Sequence, residues 1–258
     1  MPLASKVAFV TGGGRGIGRA VVLALAREGA QVAIVSRTTS QIEAVAREVA
    51  AAGGRALPLA ADVTSSRAVT EAFRCCAEKL GPPLLLINNA GVAPSAKFLD
   101  TDEATWEHVL RVNLTSAYLC TRAALPGMLQ AKSGRIINVA STAAKVGYKY
   151  TAAYTASKHG LLGLTRALAL EIAGRGVTVN AVCPGFTRTE ITREGAKRIA
   201  ARSGRSVEDA EAELARLSPQ GRLVEPDEVA QVIVFLAQEA AAGITGQAWN
   251  IDGGAVMA

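Results

Sequence analysis

Val7-Ala8-Phe9-Val10-Thr11-Gly12-Gly13-Gly14-Arg15-Gly16-Ile17-Gly18 is the stretch on which the fold turns. A four-residue apolar run gives way to a glycine-rich turn. Beyond it the apolar residues recur at helical spacing over 17–28, stopping at Gly29. Strand, glycine loop and helix in this order gather backbone N–H groups and the positive end of a helix dipole at one point, which suits a pyrophosphate. The spacing is T-G-x-x-x-G-x-G rather than G-x-G-x-x-G, with Val21 where a third glycine would fall. Gly12, Arg15, Gly16, Ile17 and Gly18 are therefore candidates for dinucleotide binding, and a tight turn with no ligand is the plain alternative. No Walker lysine follows the glycines, which argues against nucleoside triphosphate hydrolysis.

Outward from this stretch the same pattern repeats. Short apolar runs at 7–10, 32–35, 56–60, 84–87, 135–139, 177–182 and 247–251 alternate with helical patterns at 17–28, 41–52, 67–80, 105–129, 152–173 and 227–238. The first three helical patterns end before Gly29, Gly53 and Gly81, as glycine-capped helices do. Wholly apolar strands alternating with helices predict an α/β fold: a parallel sheet covered on both faces. No linker or repeat divides the chain, so one domain over 1–258 is expected. The interruption is 188–218, which is polar and charged. Between 188 and 205 it holds Arg188, Arg193, Lys197, Arg198, Arg202 and Arg205 against Glu190 and Glu194. It reads either as a solvated helical surface or as a mobile lid over a site at the strand ends.

Composition narrows the function. The chain has 258 residues, half of them hydrophobic and few aromatic, so a large core must be built from Ala, Val, Leu and Ile. A net charge of +6, spread without any Lys/Arg block, suits an anionic ligand and not a nucleic acid. The four cysteines form no C-x-x-C, and the two histidines, His108 and His159, are far apart. No metal site is expected, and the thiols read as reduced. The N-terminus runs into the first strand without an apolar signal core, and no uncharged stretch is long enough to span a bilayer. The expectation is a cytoplasmic protein with no membrane contact.

The end of the second strand bears on the cofactor. An acid about 20 residues past the glycines would bind the ribose hydroxyls of NAD. Here the sequence is Val35-Ser36-Arg37-Thr38-Thr39, with no acid and a positive charge. Ser36 and Arg37, with Arg15 from the loop, are candidates for a 2′-phosphate, which favours NADP(H) over NAD(H). Two surface arginines are the alternative.

Tyr154 and Lys158 are four residues apart and share a helix face. A free phenol titrates near ~10, and bringing it to neutrality takes about 4 kcal/mol of differential interaction. A neighbouring cation works in that direction, so the pair is expected to transfer protons. Taken alone, the spacing more often marks an amphipathic tyrosine beside a solvated lysine, and its surroundings must decide.

T-G-x-x-x-G-x-G followed by Asn88-Asn89-Ala90-Gly91, Ser141, Tyr154-x-x-x-Lys158 and Pro184-Gly185 resembles the short-chain dehydrogenase/reductase family over essentially the whole chain. The resemblance implies a one-domain Rossmann fold with strand order 3-2-1-4-5-6-7. It implies a catalytic set of Asn113, Ser141, Tyr154 and Lys158. Asp62 and Val63 would meet the adenine, and Asn89, Ala90 and Gly91 the adenosine ribose. Pro184, Gly185 and Thr187 would hold the nicotinamide, with Thr189 near the pyrophosphate. Thr187 departs from the aliphatic β-branched residue that many members carry. His159 faces about 100° away from Lys158 around the helix and is assigned no chemistry.

The runs 134–141, 157–165 and 179–186 are similar to those of 3-oxoacyl-thioester reductases and polyketide ketoreductases, and occur in alcohol, sugar and hydroxybutyrate dehydrogenases too. The resemblance implies NADPH-dependent reduction of a ketone, with Tyr154 as acid, Lys158 lowering its pKa, Ser141 bonding the carbonyl oxygen and Asn113 holding a water. The substrate would be a small ketone or alcohol, carried on coenzyme A or acyl carrier protein if the basic 188–205 stretch receives a phosphate. Residues 93–97, 142–150 and the lid would shape its pocket. An NAD-dependent alcohol or hydroxyacyl-CoA dehydrogenase is the first alternative, a non-catalytic dinucleotide binder the second. A homotetramer or homodimer is expected.

Overall fold

Along the first strand, β1 (Val7–Thr11), successive side chains point to opposite faces, and both faces are buried. Ala8 and Val10 pack with Val21, Val22 and Leu25 of α1 (Gly16–Arg27) and with Val229 and Ile233 of α9 (Pro226–Ala237). Val7 and Phe9 pack on the other side with Phe73 of α3 (Ser66–Lys79) and with Cys120 and Met128 of α5 (Ser116–Ala131). The Phe9 and Phe73 rings stack with centroids 4.0 Å apart. Two separate apolar layers therefore hold one sheet, which is why its strands carry no polar face.

The computed structural model describes residues 1–257. The other strands are β2 (Gln31–Ser36), β3 (Ala56–Ala60), β4 (Leu85–Asn88), β5 (Gly134–Val139), β6 (Val177–Pro184) and β7 (Ala248–Ile251). All pairings are parallel, in the order β3-β2-β1-β4-β5-β6-β7, the expected Rossmann topology. The order reverses between β1 and β4, and a ligand crevice opens at such a switch point, beyond the strand C-termini. The remaining helices are α2 (Thr39–Ala51), α4 (Glu103–Leu110), α6 (Ala152–Glu171), α7 (Glu190–Ser203) and α8 (Val207–Arg216). Gly29, Gly53 and Gly81 all take the positive φ of helix-ending glycines. Among the described residues no helix is long and apolar enough to cross a membrane.

One expectation needs correction. The stretch 105–129 is not one regular helix: α4 and α5 are joined by a π turn, Arg111–Thr115. The Ser116 N–H passes over Val112 and bonds to the Arg111 carbonyl, and the Ser116 hydroxyl takes the Val112 carbonyl instead. A 3.6-residue pattern carries no mark of this extra residue. The stretch 188–218, read as a solvated helical surface or a lid, is helical. It forms α7 and α8, linked through Gly204 at φ 70 and packed on a small core of Ala196, Ala200, Ala210, Leu214 and Leu223.

Candidate active site

The glycine loop is held open by its neighbours. Gly12 and Gly16 sit at φ 64 and 52, where a side chain would be strained. A Cβ on Gly18 would lie 2.1 Å from the Gly12 carbonyl oxygen, so loop and helix approach closer than any side chain permits. Asn89 fastens the loop to the end of β4, its amide donating to the carbonyls of Thr11 at 2.9 Å and Gly12 at 3.1 Å. The Thr11 hydroxyl accepts from the N–H groups of Asn89 and Ala90, both at 3.0 Å. The first turn of α1 carries no acidic side chain, which leaves its N-terminus free to attract an anion. The Thr189 methyl faces this loop, 3.2 Å from where a Gly16 Cβ would stand.

At one end of the cleft, Ser36 and Arg37 terminate β2, with Arg15 exposed beside them on the loop. Asp62 accepts from the Thr64 N–H at 2.9 Å and the Thr64 hydroxyl at 2.8 Å. The Thr64 backbone bond chiefly holds its carboxyl below the usual range, against a smaller opposing effect of burial. Gln41 also lines this end, packed against Gly14. Sequence reasoning missed it, because a lone polar residue in a helix's first turn carries no signal.

The other end gathers the catalytic candidates. Ser141 follows β5 and caps the short 3₁₀ turn Thr142–Ala144, accepting from Ala143 N–H at 3.1 Å. Tyr154 and Lys158 project from α6 into the same cleft. Lys158 is 4% exposed, and its Nζ donates to the Val139 carbonyl at 2.8 Å. Burial pushes that ammonium down to about 8. Burial pushes the Tyr154 phenol up, while the Ser141 hydroxyl draws it down. The Lys158 Nζ stands 5.7 Å from the Tyr154 ring centroid and is directed to Val139.

Asn113 lies on the π turn and is 1% exposed. Its Oδ1 accepts from Val92 N–H at 2.8 Å, and its Nδ2 donates to the Val92 carbonyl at 2.9 Å and to the Ser157 hydroxyl at 3.0 Å. Both amide protons are thus committed inside the protein, and a Gly91 Cβ would touch both Asn113 and Lys158. Pro184, Gly185 and Thr187 complete this end, with the Thr187 hydroxyl turned back onto the Gly185 carbonyl at 3.0 Å. His159 is exposed and bonds to the Thr155 carbonyl, away from the cleft.

One cleft of about 390 Å³ therefore collects the glycine loop, the ends of β2 and β3, residues 89–91, Ser141, Tyr154, Lys158, Pro184, Gly185, Thr187 and Thr189. Of the expected site residues only Asn113 stands behind the wall rather than in it. Among the six basic residues of 188–205, Arg188 pairs with Glu225, Arg205 pairs with Glu213, and Arg198 donates to the Ala93 carbonyl. The exposed Arg193, Lys197 and Arg202 are the remaining three.

Comparison with known proteins agrees with this geometry. Residues 6–200 match the family model described as short chain dehydrogenase. The chain is 40% identical over 258 residues to a 3-oxoacyl-[acyl-carrier-protein] reductase of Synechocystis, covering 99% of this chain and 98% of that one. It is also 40% identical over 255 residues to D-beta-hydroxybutyrate dehydrogenase of Cupriavidus necator, covering 98% of each. The crystal structure of a single-substitution variant of the actinorhodin polyketide ketoreductase with NADPH superposes with a TM-score of 0.94 at 36% identity over 97% of both chains. With matched motifs, matched topology and matches over nearly its full length, the chain belongs to the short-chain dehydrogenase family.

Proposed function

We propose that this oxidoreductase reduces a ketone, of the 3-oxoacyl thioester class or similar, to a secondary alcohol with NADPH. The observation that carries the proposal is the convergence of Ser141, Tyr154 and buried Lys158 at the end of a glycine-lined cleft whose far end bears Arg37 and Arg15. The glycine cradle, the acid-free helix N-terminus and the strand-end arginine fit a phosphorylated dinucleotide. The bound nicotinamide supplies the hydride.

The protein's own groups do the rest. Ser141 donates to the carbonyl oxygen, where negative charge develops. Tyr154 delivers the proton to that oxygen as the alcohol forms. Burial raises the phenol, so the proton stays on Tyr154 at neutral pH, and the Ser141 hydroxyl, which draws the phenol down, works toward its release. Lys158, held by Val139, presents a positive charge beside the cofactor ribose. Asn113 fixes Val92 against Ser157, and any water it contacts must use capacity beyond its committed amide protons. The α7–α8 hairpin serves as the lid. A carrier phosphate would meet Arg193, Lys197 or Arg202. Homotetramer or homodimer assembly and a cytoplasmic location complete the reading, the Phe235–Trp249 pair being half exposed near the sheet edge.

The match to a hydroxybutyrate dehydrogenase favours one second reading, oxidation of a hydroxyacyl substrate with NAD. Following the nicotinamide absorbance with NADPH and with NADH over acetoacetyl-CoA, cyclic ketones and aryl ketones separates the two. NADPH-linked reduction is expected. Turnover confined to NAD and alcohols supports the second reading, and cofactor binding without turnover on any of them overturns both.

A further inference from the structure

A chain of polar side chains runs through the apolar layer on one face of the sheet. Its members are Asn88 at the end of β4, Asn138 near the end of β5, Thr121 of α5 and Thr165 of α6. They are at most 6% exposed, among neighbours such as Leu86, Ile136, Cys120 and Met128. Asn88 and Asn138 stand opposite each other in the β4–β5 register. The Asn88 amide donates to the Asn138 Oδ1 at 2.8 Å and to the Thr121 hydroxyl at 3.2 Å. The Asn138 amide donates to the Thr165 hydroxyl at 2.9 Å, and that hydroxyl to the Leu161 carbonyl at 2.8 Å. The arrangement leaves the Asn88 Oδ1 without a partner among the described residues. An unpaired buried oxygen costs stability, and apolar residues of the same shape would avoid the cost.

This chain lies one residue below both clamps of the site. Asn89, next after Asn88, fastens the glycine loop, and Val139, next after Asn138, receives the Lys158 ammonium. On α6, Lys158, Leu161 and Thr165 follow at i, i+3 and i+7, so they share the face that meets the sheet, and all three are buried. The helix is therefore bonded to β5 through Lys158 on Val139 and again through Thr165 on Asn138. The two bonds differ in stiffness. A lysine reaches its acceptor on a flexible four-carbon stem, and such a tether fits many helix positions. Threonine and asparagine are short, so a bond of 2.9 Å between them sets how far the helix stands from the strand and where along it. Apolar packing has no direction and cannot make that choice as sharply.

We propose that Asn138 and Thr165 are positioning residues whose bond fixes how α6 lies on β5, and thereby holds the Lys158 ammonium on the Val139 carbonyl and the Tyr154 phenol at Ser141. Neither residue lines the cleft. The inference rests on the ketone-reduction reading only for what Tyr154 and Lys158 do once they are placed. The burial that brings Lys158 down to about 8 then depends on the short bond as well as on the long side chain. Tyr154 and Cys183 are the titratable groups that face Lys158, and every variant below keeps both.

The test follows the Lys158 titration in the whole protein without cofactor, from the Cε resonances of isotope-labelled lysines by NMR. The Lys158 resonance is the one missing from Lys158→Met. Wild type should titrate at about 8, well below the ~10.4 of a solvated lysine. Thr165→Val keeps the shape of the side chain and loses the bond, so water reaches the ammonium and the titration should move up by about one pH unit. Thr165→Ser keeps the hydroxyl and should titrate as wild type does. Thr165→Val also leaves the Asn138 amide short of an acceptor, and should it fail to fold, Asn138→Leu combined with Thr165→Val removes both partners at once and should show the same rise. Reduction of acetoacetyl-CoA with NADPH should lose roughly tenfold in kcat wherever the titration moves, as a misplaced catalytic group does. An unmoved titration in both Thr165→Val and the double variant, or an equal rise in Thr165→Ser, overturns the inference. A titration that moves as expected in a protein that reduces no ketone would instead sink the ketone-reduction reading and leave the positioning bond standing.

Discussion

The Lys158 ammonium donates to the Val139 carbonyl across 2.8 Å, tying α6 to the last residue of β5 inside a nearly solvent-free pocket. A cation in that position is an electrostatic cost to the fold that only the cofactor site has reason to keep.

Lys158→Met should therefore abolish turnover while leaving the cofactor-free protein as stable as wild type or more so near neutral pH. The ammonium titrates at about 8 when folded and near 10.5 when exposed, so the penalty is on the order of 3 kcal/mol at most. The unfolded chain binds more protons between these values, so wild-type stability should rise through that window and the variant's advantage shrink. Urea melts of both proteins at about pH 7, 8.5 and 10 measure this. A difference constant with pH would mean that the buried charge is not its source.

Tyr154→Phe should keep NADPH binding and lose ~10²- to 10⁴-fold in kcat, the range of general acid catalysis. Because burial raises the phenol, ketone reduction by wild type should hold a plateau through neutral pH. Alcohol oxidation, which needs the phenolate, should climb as the medium turns alkaline. Initial rates in both directions across pH test the assignment; undiminished reduction by the variant removes Tyr154 as the acid.

Arg37→Asp should reverse the cofactor preference. Loss of a charge-assisted bond to the 2′-phosphate is worth about 1.5–3 kcal/mol, or roughly 10- to 100-fold in the NADPH/NADH ratio of kcat/KM. The new carboxylate would repel the phosphate and accept from a ribose hydroxyl. An unchanged ratio would rule out the 2′-phosphate role.

Asn113→Ala should destabilise the protein by about 1–3 kcal/mol, because the Val92 N–H and carbonyl lose their partner in a buried site. The loss should appear in thermal melts without cofactor. Wild-type stability in this variant would show that the Val92 clamp contributes little.

Much of the fold was legible because its signals are local. Apolar runs such as 32–35 and helix-ending glycines such as Gly53 need no knowledge of their neighbours. The cleft residues were legible as motifs, since glycine at 12, 16 and 18 answers a backbone constraint that the sequence must satisfy. The π turn at Arg111–Thr115 was not, since it depends on one hydroxyl choosing a carbonyl. The effect of Lys158 on Tyr154 was legible only as a spacing. Spacing places two residues on one face of a helix, yet burial and the bond to Val139 decide where a charge acts.

The small core shared by Ala196, Ala200, Ala210, Leu214 and Leu223 is separate from the two layers that hold the sheet. Substitutions far apart and without shared partners act almost independently. Changes in the α7–α8 hairpin beyond Thr192, whose predecessors line the cleft beside the glycine loop, can therefore accumulate with little effect on the cradle formed by Asn89 and that loop. The molecule thus joins a large body, held by the two layers on the sheet, to a small hairpin with a core of its own. Libraries aimed at new substrates belong in the hairpin, where a failed variant forfeits its selectivity before its fold.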